Sequence, residues 1–473
     1  MRTAPEIALP LELRGEGPLP VRLATELRRL VGETVLAPGE ALPSTRALAA
    51  HLGISRGSVV AAYDQLIAEG YLQAAAGRST VVNPQLRRTP PPPVRPAAGE
   101  PAAPPIRLDL RPGRPGTADV AGPAWRAAWR QASLGPADTA VPPLGLPALR
   151  DIWADQLRRT RAVVRDPGQL AVTGGGREGL ALLLLALQRT RAGSLRVGVE
   201  EPGYPSLRKV PAWLGASVLP LRVDEQGLRV AELPTGAAAP DVLVVTPSHQ
   251  YPLGGSLPVD RRQALLEWAR EHRVVVVEDD YDSELRYTSQ PLPALAALDD
   301  PVEGRAVLLG TLSQTLTPTL GIGYLALPGW LVTAVTDARR GRGLPVGLGA
   351  LRAIAHYLAS GALRLHTRRM LHRYRRRRAQ VVAALSAVPG GRVHPMDGGL
   401  HAVVESSRPE AEVVARLAAS GVRVAPLSQY WSQAGNPGIV FGFGAVGEPE
   451  LAHALELIAR AMRTTGGTDG TGE

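Results

Sequence analysis

Leu23, Leu27, Leu30 and Val31 recur at helical spacing near the start of the chain and predict an amphipathic helix that ends near a Pro38-Gly39 turn. Ser44 has the side chain of an N-cap for a second helix, with Ala47, Leu48 and Leu52 inward and Gly53 stopping it. After the short turn Gly53-Ile54, Ser55 caps a third helix whose apolar side is Val59, Ala62, Tyr63 and Leu66, closed by Gly70. Tyr71-Leu72, a Gly77-Arg78 turn and Thr80-Val81-Val82 then read as a two-stranded wing. Two helices joined so tightly and followed by a wing make residues 1–82 a winged helix-turn-helix.

Residues 83–107 are too rich in proline for helix or sheet and read as an extended, semi-rigid linker. Beyond it, apolar runs each break into a polar loop: Leu195–Val199 before EEPGY, Val242–Val245 before TPSHQYP, Val274–Val277 before EDDYDSE, and Ala306–Leu309 before GTLSQ. Strands apolar on both faces and alternating with helices predict an α/β body with a mostly parallel sheet, its ligands at the carboxyl ends of the strands. The body is expected over 108–465, with a small subdomain at about 390–465 that holds strands at His401–Val404 and Ile439–Phe443. Residues 466–473 read as a disordered tail.

Composition narrows the function classes. The 473 residues contain no cysteine, so disulfides and thiolate metal sites are excluded and no metal site is expected. The longest apolar stretch, Leu180–Leu187, is too short to span a bilayer, and the start lacks the apolar run of a signal peptide, so a cytoplasmic protein without membrane partners is expected. The net charge of +10 does not come from the N-terminal module. Residues 1–85 hold eight arginines (Arg2, Arg14, Arg22, Arg28, Arg29, Arg46, Arg56, Arg78) and eight acids (Glu6, Glu12, Glu16, Glu26, Glu33, Glu40, Asp64, Glu69). The excess lies between Arg352 and Arg378, where nine arginines meet no acid. That stretch is either a solvated helix face or an auxiliary phosphate-contacting surface.

Recognition helices carry short polar and basic side chains on the first turn, because that end must meet base edges and phosphates in the major groove. Ser55, Arg56, Gly57 and Ser58 occupy it here, and Arg46, Arg78, Ser79 and Thr80 add candidate phosphate contacts. In the body, TGGGREGL (Thr173–Leu180) leads into an apolar helix and is either an anion-binding helix start or a plain tight turn. Glu278, Asp279 and Asp280 end a VVVV strand, and acids at a buried strand end need partners, so they mark the expected site.

The segment LPSTRALAAHLGISRGSVVAAYDQL and its glycine-bearing wing closely resemble the GntR family of bacterial regulators over Leu19–Val82. From Leu108 to about Arg463 the chain resembles a fold-type I aminotransferase. The match is carried by PLGLPALR (Pro143–Arg150), VEEPGYPSLR (Val199–Arg208), VVTPSHQYPLGG (Val244–Gly255), VEDDYDSELRY (Val277–Tyr287), PLPALAALD (Pro291–Asp299) and GTLSQTLTPTLGIGYLALP (Gly310–Pro328). Together the two halves resemble the MocR subfamily. The resemblance implies pyridoxal phosphate as the family cofactor, with Tyr204 stacking on its ring, Asp279 pairing with the pyridine nitrogen and Tyr281 donating to the ring oxygen. Ordinary packing remains the alternative role for the two tyrosines. Gly175, Gly176 and Arg177 are the candidates for the phosphate.

The departures from the family share a theme. Gln314 stands where the resemblance places the Schiff-base lysine, Gly321 where it places an arginine on the phosphate, Gly174 where it places a serine, and Ala140 where a tyrosine would reach the neighbouring subunit's phosphate. The substrate-carboxylate arginine would fall near Val440. Lys209, the only lysine, lies five residues past Tyr204. The expected protein is a regulator that binds a double-stranded DNA operator as a head-to-tail homodimer and answers to a small-molecule effector. Its body is expected to lack catalysis, with covalent cofactor binding absent. The rival readings are a cofactor-dependent aminotransferase or sensor, and a ligand-free dimerisation body.

Overall fold

The computed structural model describes residues 9–11, 13, 17–74, 79–86, 106–137, 140–190, 193–287, 293–386, 388–433 and 435–463. Two units separate, residues 1–100 and 101–473. Arg78, most of the linker and the 466–473 tail lie outside the described residues.

The N-terminal unit is built on three helices, Leu19–Gly32, Thr45–Leu52 and Arg56–Ala68, and a two-stranded antiparallel wing, Leu72–Gln73 with Val81–Val82. Its core is the apolar set visible in the sequence: Leu23, Leu27, Leu30 and Val31 from the first helix meet Val59, Ala62, Tyr63 and Leu66 from the third. In the second helix Leu48 and Ala49 face inward while Ala47 is exposed. Leu48 and Leu52 pack inward as expected, and Ala49 takes the place expected of Ala47, whose backbone N–H is capped by Ser44. Gly53 ends this helix in the left-handed region at φ 65°, which a side chain would strain. Ser55 Oγ then accepts from Ser58 N–H at 3.1 Å and starts the third helix.

The body is centred on an eight-stranded sheet in the order Leu170–Thr173, Gly323–Ala326, Ala306–Thr311, Val275–Asp280, Val242–Val245, Arg196–Glu201, Ser217–Asp224, Gly227–Leu228. Five consecutive members of this order, from Ala306–Thr311 to Ser217–Asp224, run parallel to one another, and antiparallel strands flank them. Strands such as Val242–Val245 and Val275–Asp280 are buried throughout, as a sheet covered on both faces requires. The apolar run Leu180–Leu187 belongs to the covering helix Gly176–Gln188, which accounts for its all-round hydrophobicity.

A smaller antiparallel sheet, in the order Gly391–Val393, His401–Ser406, Gly438–Gly442, Ala425–Pro426, carries a second core. That core draws on residues well before the stretch expected to form it. Leu108–Asp109 pairs in parallel with Val422–Arg423, and Met370, Tyr374, Val381 and Leu385 reach it from the 24-residue helix Ala362–Leu385. Some arginines of this helix are paired. Arg376 pairs with Glu448 at 2.9 Å, Arg373 pairs with Asp119, and Arg377 donates to the Gly444 carbonyl at 2.6 Å; Arg364, Arg368, Arg369 and Arg375 are exposed, as are Arg373 and Arg376. Among the described residues no helix is long and apolar enough to cross a membrane.

The N-terminal unit holds a core of its own, and Leu27 is fully buried in it. Leu27→Ala is expected to cost about 2–5 kcal/mol. Differential scanning calorimetry should show the transition of the N-terminal unit falling while that of the body stays in place.

Candidate functional site

The carboxyl ends of the parallel strands, the helix start after the glycine run and the Gln314 turn converge on one cavity of about 170 Å³. Gly174, Gly175, Gly176, Arg177, Tyr204, Asp279, Tyr281, Gln314 and Gly321 all line it. Residues far apart in sequence thus meet where an open α/β sheet places its ligands. Tyr251, Thr311 and Ser313 complete its polar lining.

Alternation along one strand explains the acids. Glu278 and Asp280 point to the side where Arg161, at the end of helix Pro147–Arg161, lies 3.2 Å and 3.0 Å away. Arg161 also donates to Ser248 Oγ at 2.9 Å, and Glu278 accepts from the Leu295 N–H at 2.6 Å. Burial pulls Arg161 down, but Asp280 and Glu278 more than offset it and hold the guanidinium charged. Asp279 points the other way, into the cavity. It is 7% exposed, and no hydrogen bond among those of the described residues reaches its carboxylate. Burial pushes this acid up to about 8, helped by the negative neighbours Asp280, Asp282, Glu200 and Glu278. Glu200, deeper still, is pushed up to about 7 by burial. The three acids that the sequence grouped therefore split into two structural ion-pair members and one that faces the cavity.

Behind Asp279 lies a cluster that sequence reasoning missed. Tyr281 Oη sits 2.7 Å from His249 Nδ1 and donates to the His249 carbonyl at 3.0 Å, and the same Nδ1 lies 2.8 Å from Asp282. An Nδ1–H shared between Asp282 and the Tyr281 oxygen satisfies all three groups. Tyr251 packs edge-on against both Tyr204 and Tyr281 at 5.1 and 5.4 Å between ring centroids. Burial pushes Tyr281 well above the usual phenol range, so it stays a neutral donor. His249 and Tyr251 stood in the quoted TPSHQYP motif, but nothing local marks one polar residue there as facing a cavity. Arg161 had no signal, lying in an arginine-rich helix end that reads as surface.

Gln314 occupies a turn that follows strand Ala306–Thr311 and is anchored by the buried Leu312 and Leu316. Its terminal group is a carboxamide, which cannot condense with an aldehyde. Gly321 adopts φ 59°, and a Cβ there would meet nothing nearer than the Gly174 carbonyl at 3.9 Å. The place is open and carries no charge. At the glycine run, the Gly174 N–H donates to Glu178 Oε2 at 2.9 Å, and the two carboxylate oxygens of Glu178 are gripped by buried Arg339 at 2.8 and 3.1 Å. One backbone donor of this loop is thus already occupied by an acid of the protein. Lys209 is exposed and lies outside the cavity lining, Ala140 is exposed, and Val440 is buried in the small sheet among Tyr251, Val403 and Tyr430. The residues present suit the ring of the family cofactor better than its aldehyde or its phosphate.

In the N-terminal unit, Arg46, Ser55, Arg56 and Gly57 form an exposed surface at the starts of the second and third helices, with Ser58 half-buried beside them. Arg56 Nε approaches Thr45 Oγ1 at 3.5 Å, which links the two helix starts. Thr80 is half-buried, and its carbonyl accepts from Leu42 N–H at 2.8 Å, tying the wing to the helices.

Residues 20–82 match the bacterial regulatory proteins of the gntR family, and residues 115–437 match aminotransferase class I and II. The pyridoxine biosynthesis transcriptional regulator PdxR of Corynebacterium glutamicum is 46% identical over 457 residues, covering 96% of this chain and 98% of that protein. The regulatory protein MocR of Rhizobium meliloti is 30% identical over 482 residues, covering 96% of each chain. An archaeal alanine:glyoxylate aminotransferase superposes with a TM-score of 0.69 at 22% identity, over 75% of this chain and 90% of that one, which shows the fold of the body. Carrying both parts along nearly its whole length, the chain belongs to the MocR-type transcriptional regulators, in which a GntR-family head is joined to an aminotransferase-like domain.

Proposed function

We propose that this regulator binds its operator through the starts of the second and third helices and that its aminotransferase-like body is a non-catalytic sensor. The observation that carries the second half is Gln314 lining the cavity together with Asp279 and Tyr281. Asp279 matches a cationic nitrogen and Tyr281 a ring oxygen, but the amine that would hold an aldehyde covalently is gone. In this reading Arg56 reaches base edges or phosphates in the major groove, Arg46, Ser55, Gly57, Ser58 and Thr80 add contacts, and the body provides head-to-tail dimerisation in the cytoplasm. An electroneutral head has little electrostatic affinity of its own, so pairing two heads on two half-sites is what makes binding tight. The likeness to a regulator named for pyridoxine biosynthesis makes the B6 vitamers the first effectors to test.

Three outcomes are expected. Arg56→Ala should weaken operator binding in fluorescence anisotropy by about 1–3 kcal/mol without changing the melting of the body. Mixed with pyridoxal phosphate, the protein should show no imine absorbance and no borohydride-fixed adduct by mass spectrometry, while Gln314→Lys should gain both. A fixed adduct on the unaltered chain would end the non-covalent reading.

The third concerns pH. In the unfolded chain Asp279 ionises near 3.9, whereas the folded site keeps it protonated up to about 8. Stability is therefore lost as pH rises between those values and is fully lost above the upper one. Asp279→Asn removes this burden. Its unfolding free energy, from denaturant titration, should match the parent near pH 4 and exceed it progressively towards pH 8, by a difference on the order of a few kcal/mol.

A further inference from the structure

Three features of the cavity bear on the charge of what enters it. Its buried acid, Asp279, has no protein partner among the described residues and is flanked by the negative neighbours Asp280 and Asp282. Its glycine loop has one N–H, that of Gly174, already donated to Glu178, whose carboxylate in turn is neutralised by Arg339 and not by anything a ligand brings. Its single cationic lining residue among the described ones is Arg177, and that residue is exposed to water, which weakens its pull on an anion. Gly321 adds no charge and no donor side chain opposite the loop.

We infer that the cavity takes a phosphate-free ligand that presents a protonated nitrogen to Asp279, and that it discriminates against the phosphorylated form of the same ligand. This rests on the body being a non-covalent sensor. A phosphate dianion needs several charge-assisted bonds to replace its hydration, and beside the neutral hydroxyls of Thr311 and Ser313 this cavity supplies one exposed guanidinium and the remaining amides of a helix start. The helix start is also answered in part by its own acid, Glu178, on the first turn. A cationic nitrogen, in contrast, gains a desolvated carboxylate that has no other partner. Gln314 then offers hydrogen bonds to the neutral polar groups of the ring, Tyr281 Oη, whose proton goes to the His249 carbonyl, offers an acceptor, and Tyr204 and Tyr251 supply its apolar walls.

The test is isothermal titration calorimetry of the full chain with pyridoxamine, pyridoxine, pyridoxal phosphate and inorganic phosphate, with a mass spectrum of each mixture after borohydride treatment. Pyridoxamine is expected to bind at least about tenfold tighter than pyridoxal phosphate, and inorganic phosphate is expected not to compete. Asp279→Asn should weaken pyridoxamine by at least about tenfold, and Gly321→Arg should reverse the preference in favour of the phosphorylated form. Pyridoxal phosphate binding as tightly as pyridoxamine or tighter, with no fixed adduct, would overturn the phosphate-free assignment alone. A fixed adduct would instead overturn the sensor reading beneath it. Binding by none of the four would overturn the inference and leave operator binding, measured on the same sample, untouched.

Discussion

A carboxylate without a partner at the buried end of a parallel strand is costly, and the organisation of the body's site turns on it. The strand Val275–Asp280 delivers three consecutive acids, and its alternation sends two of them to Arg161 and one into the cavity. Arg161 cannot serve all three, because the pleat puts Asp279 on the opposite face. The protein tolerates the third acid by keeping its proton, an arrangement that a bound cation would relieve. A purely structural body has no use for such a cost, which is why this residue argues for a ligand more strongly than the cavity volume does.

Around that acid, two kinds of change separate. On the aromatic and acidic side, Tyr281, His249 and Asp282 are joined by hydrogen bonds, and Tyr204 and Tyr251 pack edge-on beside them. Where Gln314, Gly321 and the Gly174 loop line the cavity, the side chains offer a carboxamide and no charge, and one backbone donor is turned to an internal acid. Erosion of a disused site would have no reason to spare one wall and strip the other. The asymmetry is what the proposed phosphate-free ligand calls for, in a body joined to a head that exposes Arg46, Ser55, Arg56 and Gly57 at its helix starts.

The N-terminal unit was legible almost residue by residue, because its elements are local. Ser44, Ser55 and Gly53 announce helix ends through contacts within three or four residues, and Leu23, Leu27 and Leu30 repeat at the helical period. The one inward residue misplaced there, Ala47 for Ala49, shows the limit of spacing when small residues fill both sides of a short helix. In the body the central strands were legible as apolar runs, and so were the two middle strands of the small sheet, His401–Ser406 and Gly438–Gly442, but not its edges. Its edge strands, Gly391–Val393 and Ala425–Pro426, are only three and two residues long, and Leu108–Asp109 forms a separate two-stranded pair with Val422–Arg423 across more than three hundred residues.

What the sequence determined by itself was chemical identity and local order: a winged head, a parallel-sheet body, the absence of an amine at position 314, and the acids at the strand end. Those follow from side-chain type and from periods of two and 3.6, which act over a few residues. Only the tertiary structure decided which acid faces the cavity, that Arg161 holds the other two, that His249 backs Tyr281, and that Glu178 claims the Gly174 amide. Each of these except the last depends on contacts between distant strands and helices. The last depends on how the Glu178 side chain turns back over its own helix start while Arg339, from another helix, holds it there. Burial and charge pairing act through space, so the chain order carries no direct record of them.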